Sequence, residues 1–330
     1  MKLALLSFSQ TGKDLADRIA RKMGGVSERC LPPVTLTDWT REQFVSADAL
    51  VFVGAAGIAV RAIAPYVKDK ATDPAVLVID ERGSFVIPIL SGHLGGANSL
   101  ARILAEFLGA TPVITTATDV NGKFAIDDWA RVHHCAVVNK GAIQSVSGKL
   151  LAGNEIRLAS KYPISGTVPS GVVPVKAYPY DVYVGVHTPT VRENVLWLVP
   201  KIGVMGIGCK KGTPESAIRF AVHSAFREWS ISRDCIAAVA TIDLKKEEPG
   251  LCSYVEQHGW EFQTFSAEEL KQVPGHFQSS AFVARTVGVD NVCERSAVLG
   301  SGGELIGWKT TFGGVTVALA ARPFAPDWEV

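Results

Sequence analysis

The chain has 330 residues, 47% of them hydrophobic and 20% charged, and its formal net charge is +1 at pH 7. This composition predicts a globular protein with a sizeable core and two or three domains. A charge so close to zero excludes a global field that attracts nucleic acid or an acidic membrane surface, so an anionic ligand must bind at local basic clusters.

Signals for targeting and for metal binding are weak in this chain. The N-terminal sequence MKLALLSFSQTGK becomes polar too soon for a signal peptide, and no apolar run approaches the ~20 residues of a membrane span. The six cysteines are scattered without a CxxC pair, so we predict neither a zinc site nor a disulfide framework. Together these features predict a cytoplasmic protein that binds no metal ion of its own.

The first third of the chain alternates strands and helices. Lys2–Ser7 is predicted to form a buried strand, and the helix after it is predicted to start with a capping box of Thr11 and Asp14. Ala49–Val53 is the next predicted strand, and the helix that follows it should end near Pro65.

Two glycines and an arginine mark this second helix. Gly54 and Gly57 lie where the strand gives way to the helix, and Arg61 follows one turn later. A solvated basic face is one interpretation of the arginine. We favour a carboxylate-binding position, because the planar guanidinium fits carboxylates.

The most informative stretch runs from residue 76 to residue 109. Val76–Ile79 and Phe85–Leu90 are predicted strands, joined by the polar turn Asp-Glu-Arg-Gly. A Gly-rich loop, SGHLGG, then opens a helix for which Gly109 is a natural C-terminal cap.

This stretch also contains the strongest candidates for catalysis. His93 lies in the Gly-rich loop, and Glu81 lies in the preceding turn. Bare amides at a helix N-terminus, beside a histidine and an acidic pair, can hold an anion and move a proton. The helix N-terminus predicts a neutral imidazole, the form that accepts a proton. A tightly packed turn with a satisfied histidine explains the same residues, and the pattern alone does not choose.

The alternation continues with Pro112–Thr116, a predicted strand whose polar end contains Thr115 and Thr116. Alternating strands and helices predict an α/β sheet that is largely parallel. Ligands of such sheets bind off the carboxyl ends of the strands. We therefore expect the loops at Gly54, Ser91 and Thr115 to share one rim.

Residues 124–199 differ in character, since helical signals weaken and Pro and Gly become frequent. We predict a small α+β middle region here. The adjacent His133 and His134 are not predicted to bind a metal ion, because neighbouring residues on a helix do not face one another.

A third region begins at Lys201. Ile202–Gly206 is a predicted strand that leads into the loop GIGCKKG, where Lys210, Lys211 and free amides form a predicted anion site. The loop lacks the GxxxxGK[ST] spacing, which argues against a nucleoside triphosphate.

Further strand and helix patterns complete this region. Cys235–Ile242 is a predicted strand, and Lys245 and Lys246 follow it. Ser279–Val287 and Asn291–Leu299 are predicted helices ahead of a closing pair of strands.

The predicted fold class is α/β. Two α/β domains with largely parallel sheets, residues 1–119 and 201–330, flank a small α+β middle region or linker at residues 120–200.

Long segments of the chain resemble a known family. They are VGAAGIAVRAIAPYVKDKATDPAVLVIDERGSFVIPILSGHLGGANSLA with PVITTATD near the N-terminus, and GIGCKKGTP, IDLKKEEPGL and GVDNVCERSAVLGSGG near the C-terminus. They resemble the cobalt-precorrin-5A hydrolases, the CbiG-type proteins of anaerobic cobalamin synthesis. The resemblance covers the first and last domains, and the middle region matches poorly.

The resemblance implies a reaction and a ligand. The substrate would be a cobalt-bound tetrapyrrole with acetate and propionate arms and a δ-lactone, which water opens with release of acetaldehyde to give cobalt-precorrin-5B. It implies no cofactor, since the cobalt is carried by the substrate. Neighbouring enzymes of the cobalamin pathway would be further partners, with no nucleic acid and no membrane.

Residue type and position suggest roles for this chemistry. We predict His93 as the base and Glu81 as its orienter or as an alternative base, with the amides of the Gly-rich loop as oxyanion donors. The predicted substrate-binding residues are Gly54, Gly57, Arg61, Ser91, Gly92, Gly95, Gly96, Thr115, Thr116, Lys210, Lys211, Lys245, Lys246 and Arg295.

Two other functions remain open on the sequence. A non-catalytic carrier of cobalt-corrinoid intermediates would use the same basic loops without needing His93 or Glu81. The other alternative is an unrelated α/β enzyme that binds a phosphorylated metabolite. The sequence has neither a Rossmann fingerprint nor a Walker lysine, and this counts against such an enzyme.

Overall fold

The computed structural model describes residues 1–69, 72–191, 193–280, 285 and 288–329. Its strands form three sheets, one of six strands and two of five. The sheets are largely parallel, and helices alternate with the strands, so the predicted α/β class is confirmed. No helix in the described part of the chain is long and apolar enough to cross a membrane.

The first sheet has the strand order β2-β1-β3-β4-β5-β6. Its strands are β1 (Leu3–Ser7), β2 (Val26–Arg29), β3 (Ala49–Val53), β4 (Ala75–Ile79), β5 (Phe85–Leu90) and β6 (Thr111–Pro112). β1, β3 and β4 are buried at every position, because helices cover both faces of a parallel sheet. The prediction of buried strands there is confirmed.

Four helices pack on this sheet: α1 (Gln10–Met23), α2 (Leu36–Ser46), α3 (Ala56–Ile63) and α4 (Ala97–Leu108). Gly109 ends α4 in the left-handed conformation (φ 67°), as predicted. The predicted capping box of Thr11 and Asp14 is wrong. α1 begins earlier, and the Ser9 side chain accepts the Gly12 amide at 3.0 Å.

The direction of β5 overturns the expected single rim. β4 and β5 form an antiparallel hairpin in which Val76 faces Leu90, whereas β3 and β4 are parallel. The loop after β5 therefore lies at the amino ends of β3 and β4, whereas the loop at Gly54 lies at their carboxyl ends. The predicted strand Pro112–Thr116 is also too long, because β6 ends at Pro112.

A second sheet lies in the middle region, in the order β7-β11-β10-β8-β9, with only β7 antiparallel to its neighbour. Its elements are α5 (Ala117–Val120), α6 (Ile126–Val132), β7 (Cys135–Val137), α7 (Gly141–Leu151), β8 (Ile156–Ser160), β9 (Val172–Val175), β10 (Val182–Val184) and β11 (Leu196–Pro200). With five strands it equals the third sheet in strand number, which the weak sequence pattern did not indicate.

The third sheet has the order β14-β13-β12-β16-β15. Its strands are β12 (Gly203–Gly208), β13 (Ile236–Ile242), β14 (Glu261–Phe265), β15 (Glu304–Phe312) and β16 (Val315–Ala321). Its helices are α8 (Glu215–Trp229), α9 (Pro249–His258), α10 (Ala267–Gln272) and α11 (Cys293–Ser301). The antiparallel closing pair is confirmed, and the predicted helix Ser279–Val287 lies largely outside the described residues.

The hydrophobic cores cross the boundaries between these regions. Trp197 of β11 and Met205 of β12 belong to one buried cluster, so the second and third sheets share a core. Residues 322–329 leave the third sheet and return to the second, where Trp328 packs in the core beside Trp129. The C-terminal segment therefore packs outside the domain that its position in the sequence suggests.

Candidate functional site

The Gly-rich loop between β5 and α4 is tightly wound. The Ser91 hydroxyl donates to the Asp73 carbonyl at 3.0 Å, and the Gly96 amide donates to the His93 carbonyl at 2.8 Å. A Cβ on Gly95 would collide with the side chain of Ser91. The loop therefore holds His93 in a defined position, and Gly95 has a packing reason to be glycine.

The first amides of α4 are already occupied. The Ala97 amide donates to the Ser91 carbonyl at 3.1 Å, and the Asn98 amide donates to the Gly92 carbonyl at 2.9 Å. The expectation of bare amides at this helix N-terminus is therefore wrong, because the loop folds back and caps the helix itself. Within the described residues, the amides of Gly92 and Gly95 donate to no protein group and remain candidate oxyanion donors.

His93 lies between two aspartates. Its Nε2 is 2.7 Å from Oδ2 of Asp119, and its Nδ1 is 3.2 Å from Oδ2 of Asp127. The hydroxyl of Thr118 is also 3.2 Å from Nε2. The His93 side chain is 14% exposed. Both ring nitrogens can donate to carboxylates at once only in the doubly protonated imidazolium.

The charge state of His93 differs from the prediction. Burial opposes its protonation, but the hydrogen bond and charge of Asp127, followed by those of Asp119, outweigh burial and raise the pKa of His93 to about 9. The predicted neutral form is therefore wrong. The partial charge of a helix terminus is small beside two carboxylates within hydrogen-bonding distance.

Asp119 is the centre of a polar network at this edge of the sheet. Burial raises its pKa, but hydrogen bonds from Thr116, Arg102 and His93 outweigh burial and lower the pKa of Asp119 to about 2. Thr116 donates at 2.6 Å, and the Asn98 amide group donates at 3.1 Å. Asp119 was not among the predicted site residues, although the polar end of the predicted strand that contains Thr116 pointed to this place.

Asp127 and its neighbours were also missed. Asp127 and Asp128 lie in the first turn of α6, beyond the first sheet. Arg131 of the same helix contacts Asp128 and donates to the Ser99 hydroxyl of α4 at 2.6 Å. An acidic pair in a first helical turn is ordinary, so only the fold reveals that Asp127 faces a histidine.

Glu81 does not lie at this site. It is exposed in the hairpin turn after β4, at the edge of the sheet opposite the loop that holds His93. The predicted role of Glu81 as an orienter of His93 is therefore contradicted, because the length of a strand separates the two residues. The reversal of β5 is the physical reason.

The predicted substrate-binding residues of the first domain fall in three places. Thr116 joins the Asp119 network, whereas Thr115 is exposed beside it. Gly54 donates its amide to the Ile79 carbonyl at the opposite edge of the sheet. Arg61 folds back along α3 and donates to the Gly57 carbonyl at 3.3 Å.

A second group of predicted residues lies at the carboxyl end of β12. Glu248 accepts the Gly212 amide at 2.7 Å and pairs with the Lys245 ammonium at 2.8 Å. Lys245 is 15% exposed, so it anchors the loop rather than standing as an open cation. Lys210 and Lys211 are exposed and have no ion-pair partner among the described residues.

The remaining predicted cations differ from each other. Lys246 is exposed, as Lys210 is. Arg295 instead pairs with Asp290 at 3.0 Å, donates to the carbonyls of Leu270 and Val273, and lies 4.6 Å over the ring of Phe277. Its guanidinium is committed to protein acceptors, which argues against its predicted contact with the substrate.

In the described ranges of the chain, His, Cys, Asp and Glu are side chains whose chemistry suits a metal ion. No group of three or more His, Cys, Asp or Glu side chains there could hold a metal ion. The cluster at His93 consists of two carboxylates on either side of the imidazole. Side chains of these types are suited to proton transfer.

Comparison with known proteins decides the family. Residues 38–119 match the family described as "Cobalamin synthesis G N-terminal", and residues 203–320 match "Cobalamin synthesis G C-terminus". The chain belongs to the cobalamin synthesis G family. The resemblance inferred from the sequence is confirmed.

Two named relatives are similar to the chain over most of its length. Over 292 residues it is 38% identical to the protein named "Cobalt-precorrin-5A hydrolase" of Salmonella typhimurium, with 84% of this chain and 83% of that one covered. Over 301 residues it is 33% identical to the protein of the same name from Priestia megaterium, with coverage of 85% and 80%.

The family matches do not cover the whole candidate site. His93 and Asp119 lie inside the matched N-terminal part of the cobalamin synthesis G family, and Lys210 lies inside the matched C-terminal part. Asp127 lies between them, in a stretch that neither match covers. The cluster at His93 therefore joins a family segment to the middle region.

Proposed function

We propose that the protein is a cobalt-precorrin-5A hydrolase, which opens the δ-lactone of cobalt-precorrin-5A in the cytoplasm, releases acetaldehyde and leaves cobalt-precorrin-5B. The observation that carries this proposal is the identity of 38% over most of the chain to a protein of that name, together with both family matches. The cobalt belongs to the substrate, and the proposal adds no cofactor. Neighbouring enzymes of cobalamin synthesis are proposed as partners.

The reaction needs a proton to be removed and a proton to be supplied in each of its two stages. Water adds to the lactone carbonyl, and the acyl C–O bond then breaks to leave a carboxyl group and an alcohol. The alcohol next loses its proton as its C–O bond becomes a carbonyl. The C–C bond to the macrocycle breaks, and the macrocycle keeps the electron pair and takes up a proton. An acid, a base and oxyanion donors must therefore be close together.

His93 is best suited to the acid role. Its pKa of about 9 keeps the imidazole protonated at neutral pH, so it can donate to the oxygen or carbon that gains electrons. The amides of Gly92 and Gly95 have no acceptor among the described residues, so they are proposed as donors to the same oxyanion. The base role first predicted for His93 would require loss of a proton that two carboxylates hold, which argues against it.

The macrocycle needs an apolar face and cations for its acid arms. Phe220 is 64% exposed. Its ring packs edge-on against the ring of Phe312, with the two ring centroids 6.4 Å apart. Lys210 lies near the turn between β15 and β16. If Gly314 in this turn carried a Cβ, that atom would be 3.8 Å from Cε of Lys210. We propose that this surface, with Lys211, binds one side of the macrocycle.

One observation favours the carrier alternative. Both nitrogens of His93 already face carboxylates, an arrangement that a purely structural histidine also has. A carrier would bind the cobalt-corrinoid at the same lysines without consuming it. Turnover separates the two functions.

The deciding experiment is a single-turnover reaction in ¹⁸O-labelled water. Purified protein is mixed with cobalt-precorrin-5A, acetaldehyde is trapped chemically, and the macrocycle is analysed by mass spectrometry. A hydrolase releases one acetaldehyde for each macrocycle and places one labelled oxygen in the new carboxyl group. Binding of the macrocycle without acetaldehyde would establish the carrier instead.

A further inference from the structure

The short helix α6 is held from both sides. Asp127 points to His93 of the first domain, whereas Trp129, two residues on, points to the C-terminal segment. Residues two apart on a helix lie on nearly opposite faces, so α6 is sandwiched between these two partners. A helix of seven residues has little stability of its own, and its position depends on what holds it.

The C-terminal side of this sandwich is built by backbone hydrogen bonds. The indole nitrogen of Trp129 donates to the Asp327 carbonyl at 2.7 Å, and the Asp327 amide donates to Nε2 of His133 at 3.2 Å. Nδ1 of His133 is 2.9 Å from the carbonyl oxygen of Trp129. The imidazole of His133 also stacks on the indole of Trp129, with the ring centroids 4.5 Å apart. His133 therefore links α6 to the C-terminal segment.

Trp328 fixes the same segment by packing. It is 7% exposed, and its ring lies 6.1 Å from Phe124 and 6.4 Å from Trp129. Two backbone hydrogen bonds join the segment to Ser165. The Ser165 amide donates to the Pro326 carbonyl at 3.0 Å, and the Trp328 amide donates to the Ser165 carbonyl at 3.1 Å. The segment is thus tied to the second sheet as well as to α6.

We propose that residues 324–329 form a strap that holds α6 against the first domain, and that Trp328 is a positioning residue for the contact between Asp127 and His93. Among the described residues, no hydrogen bond or ion pair joins the strap to His93 or Asp127. It acts through α6, which places Asp127 on one face and Trp129 on the other. The contact between Asp127 and His93 is a property of the protein itself, whatever the identity of the substrate.

The charged groups around His93 make the effect measurable. They are Asp119 from α5, Asp127 from α6 and, through its pair with Asp119, Arg102 from α4. Only Asp127 is on the element that the strap holds. Loosening the strap should therefore remove one of the two carboxylates and leave the other in place.

The test is an NMR titration of His93 in protein with isotope-labelled histidine, with the signal assigned by its loss in His93→Asn. In Trp328→Ala the proton should bind His93 about tenfold more weakly than in the parent protein, because the contribution of Asp127 is lost. Trp328→Phe keeps an aromatic ring in the same pocket and should restore most of the affinity. Trp308→Ala is the matched control, since Trp308 is 54% exposed on β15, and it should change nothing.

An unchanged titration of His93 in folded Trp328→Ala would overturn the proposal. If Trp328→Ala does not fold, Trp129→Phe decides, because it keeps an aromatic side chain on α6 while it removes the hydrogen bond to the Asp327 carbonyl. In Trp129→Phe, faster hydrogen exchange of the Trp328 amide than in the parent protein, together with weaker proton binding at His93, would support the strap. Faster exchange with an unchanged titration would reject it.

Discussion

Nδ1 of His93 lies 3.2 Å from Oδ2 of Asp127, and this contact joins a loop of the first sheet to a helix of the middle region. The two residues belong to different segments of the fold, and only one of them lies in a segment matched to the cobalamin synthesis G family. The contact links two regions of the fold and is also part of the candidate site. Mutations here should therefore affect both stability and chemistry.

Asp127→Asn should lower stability in a manner that depends on pH. The pKa of His93 is raised above 6.5 in the folded protein, so its protonation stabilises the fold fully below pH 6.5 and less as pH rises through about 9. We expect a loss on the order of 1–2 kcal/mol at pH 6 in urea unfolding, because one of two carboxylate partners is removed. The loss should shrink above pH 9, and a loss of equal size at pH 6 and pH 10 would contradict the imidazolium.

His93→Asn should slow acetaldehyde release by ~10²-fold or more, the usual scale for losing a general acid or base. Asparagine keeps a polar side chain but cannot transfer the proton. Single-turnover release measures the effect, and circular dichroism checks that the variant is folded. Turnover at the parent rate would make His93 a structural residue of this contact between regions.

The pH dependence of the parent protein separates the two catalytic roles of His93. As an acid, His93 must be protonated, so the rate of acetaldehyde release should fall as pH rises through about 9. As a base it must be neutral, and the rate should rise over the same range. A profile of release measured from pH 6 to pH 10 distinguishes them, and we expect the fall.

Replacing Lys210 and Lys211 together by Ala should weaken binding of cobalt-precorrin-5A and reduce its dependence on salt, because charge pairs screened by salt supply part of the affinity. Absorbance titrations at two salt concentrations measure both effects. Lys22→Ala is the control, since Lys22 is exposed on α1 and far along the chain from this loop. Unchanged binding in the double variant would place the acid arms of the macrocycle elsewhere.

Gly95→Ala should destabilise the protein by about 1–3 kcal/mol, because the added Cβ collides with Ser91 in a loop that has no room to relax. Gly148→Ala is the matched control. A Cβ there meets no atom within 4 Å inside α7, so alanine should stabilise by up to about 1 kcal/mol. Thermal unfolding of the two variants measures both, and equal stability would show that the loop adapts.

The sequence alone was sufficient for the buried strands of the first sheet and for the family. Apolar runs such as Ala49–Val53 predict buried strands because the burial of a strand is encoded within the segment itself. The cap at Gly109 and the hairpin between β4 and β5 follow from local backbone preferences in the same way. The long motifs that carry the resemblance are likewise properties of contiguous sequence.

Only the tertiary structure decided the composition of the site. The local turn signal predicts the hairpin between β4 and β5, but only the pairing across the whole sheet shows which loops share an end of it. Because β3 and β4 are parallel and β5 is antiparallel to β4, the loop that holds His93 lies at the end opposite Glu81 and Gly54. The charge of His93 depends on Asp119 and Asp127, which lie 26 and 34 positions further along the chain. Ion pairing depends on distance in space, and folding alone determines that distance.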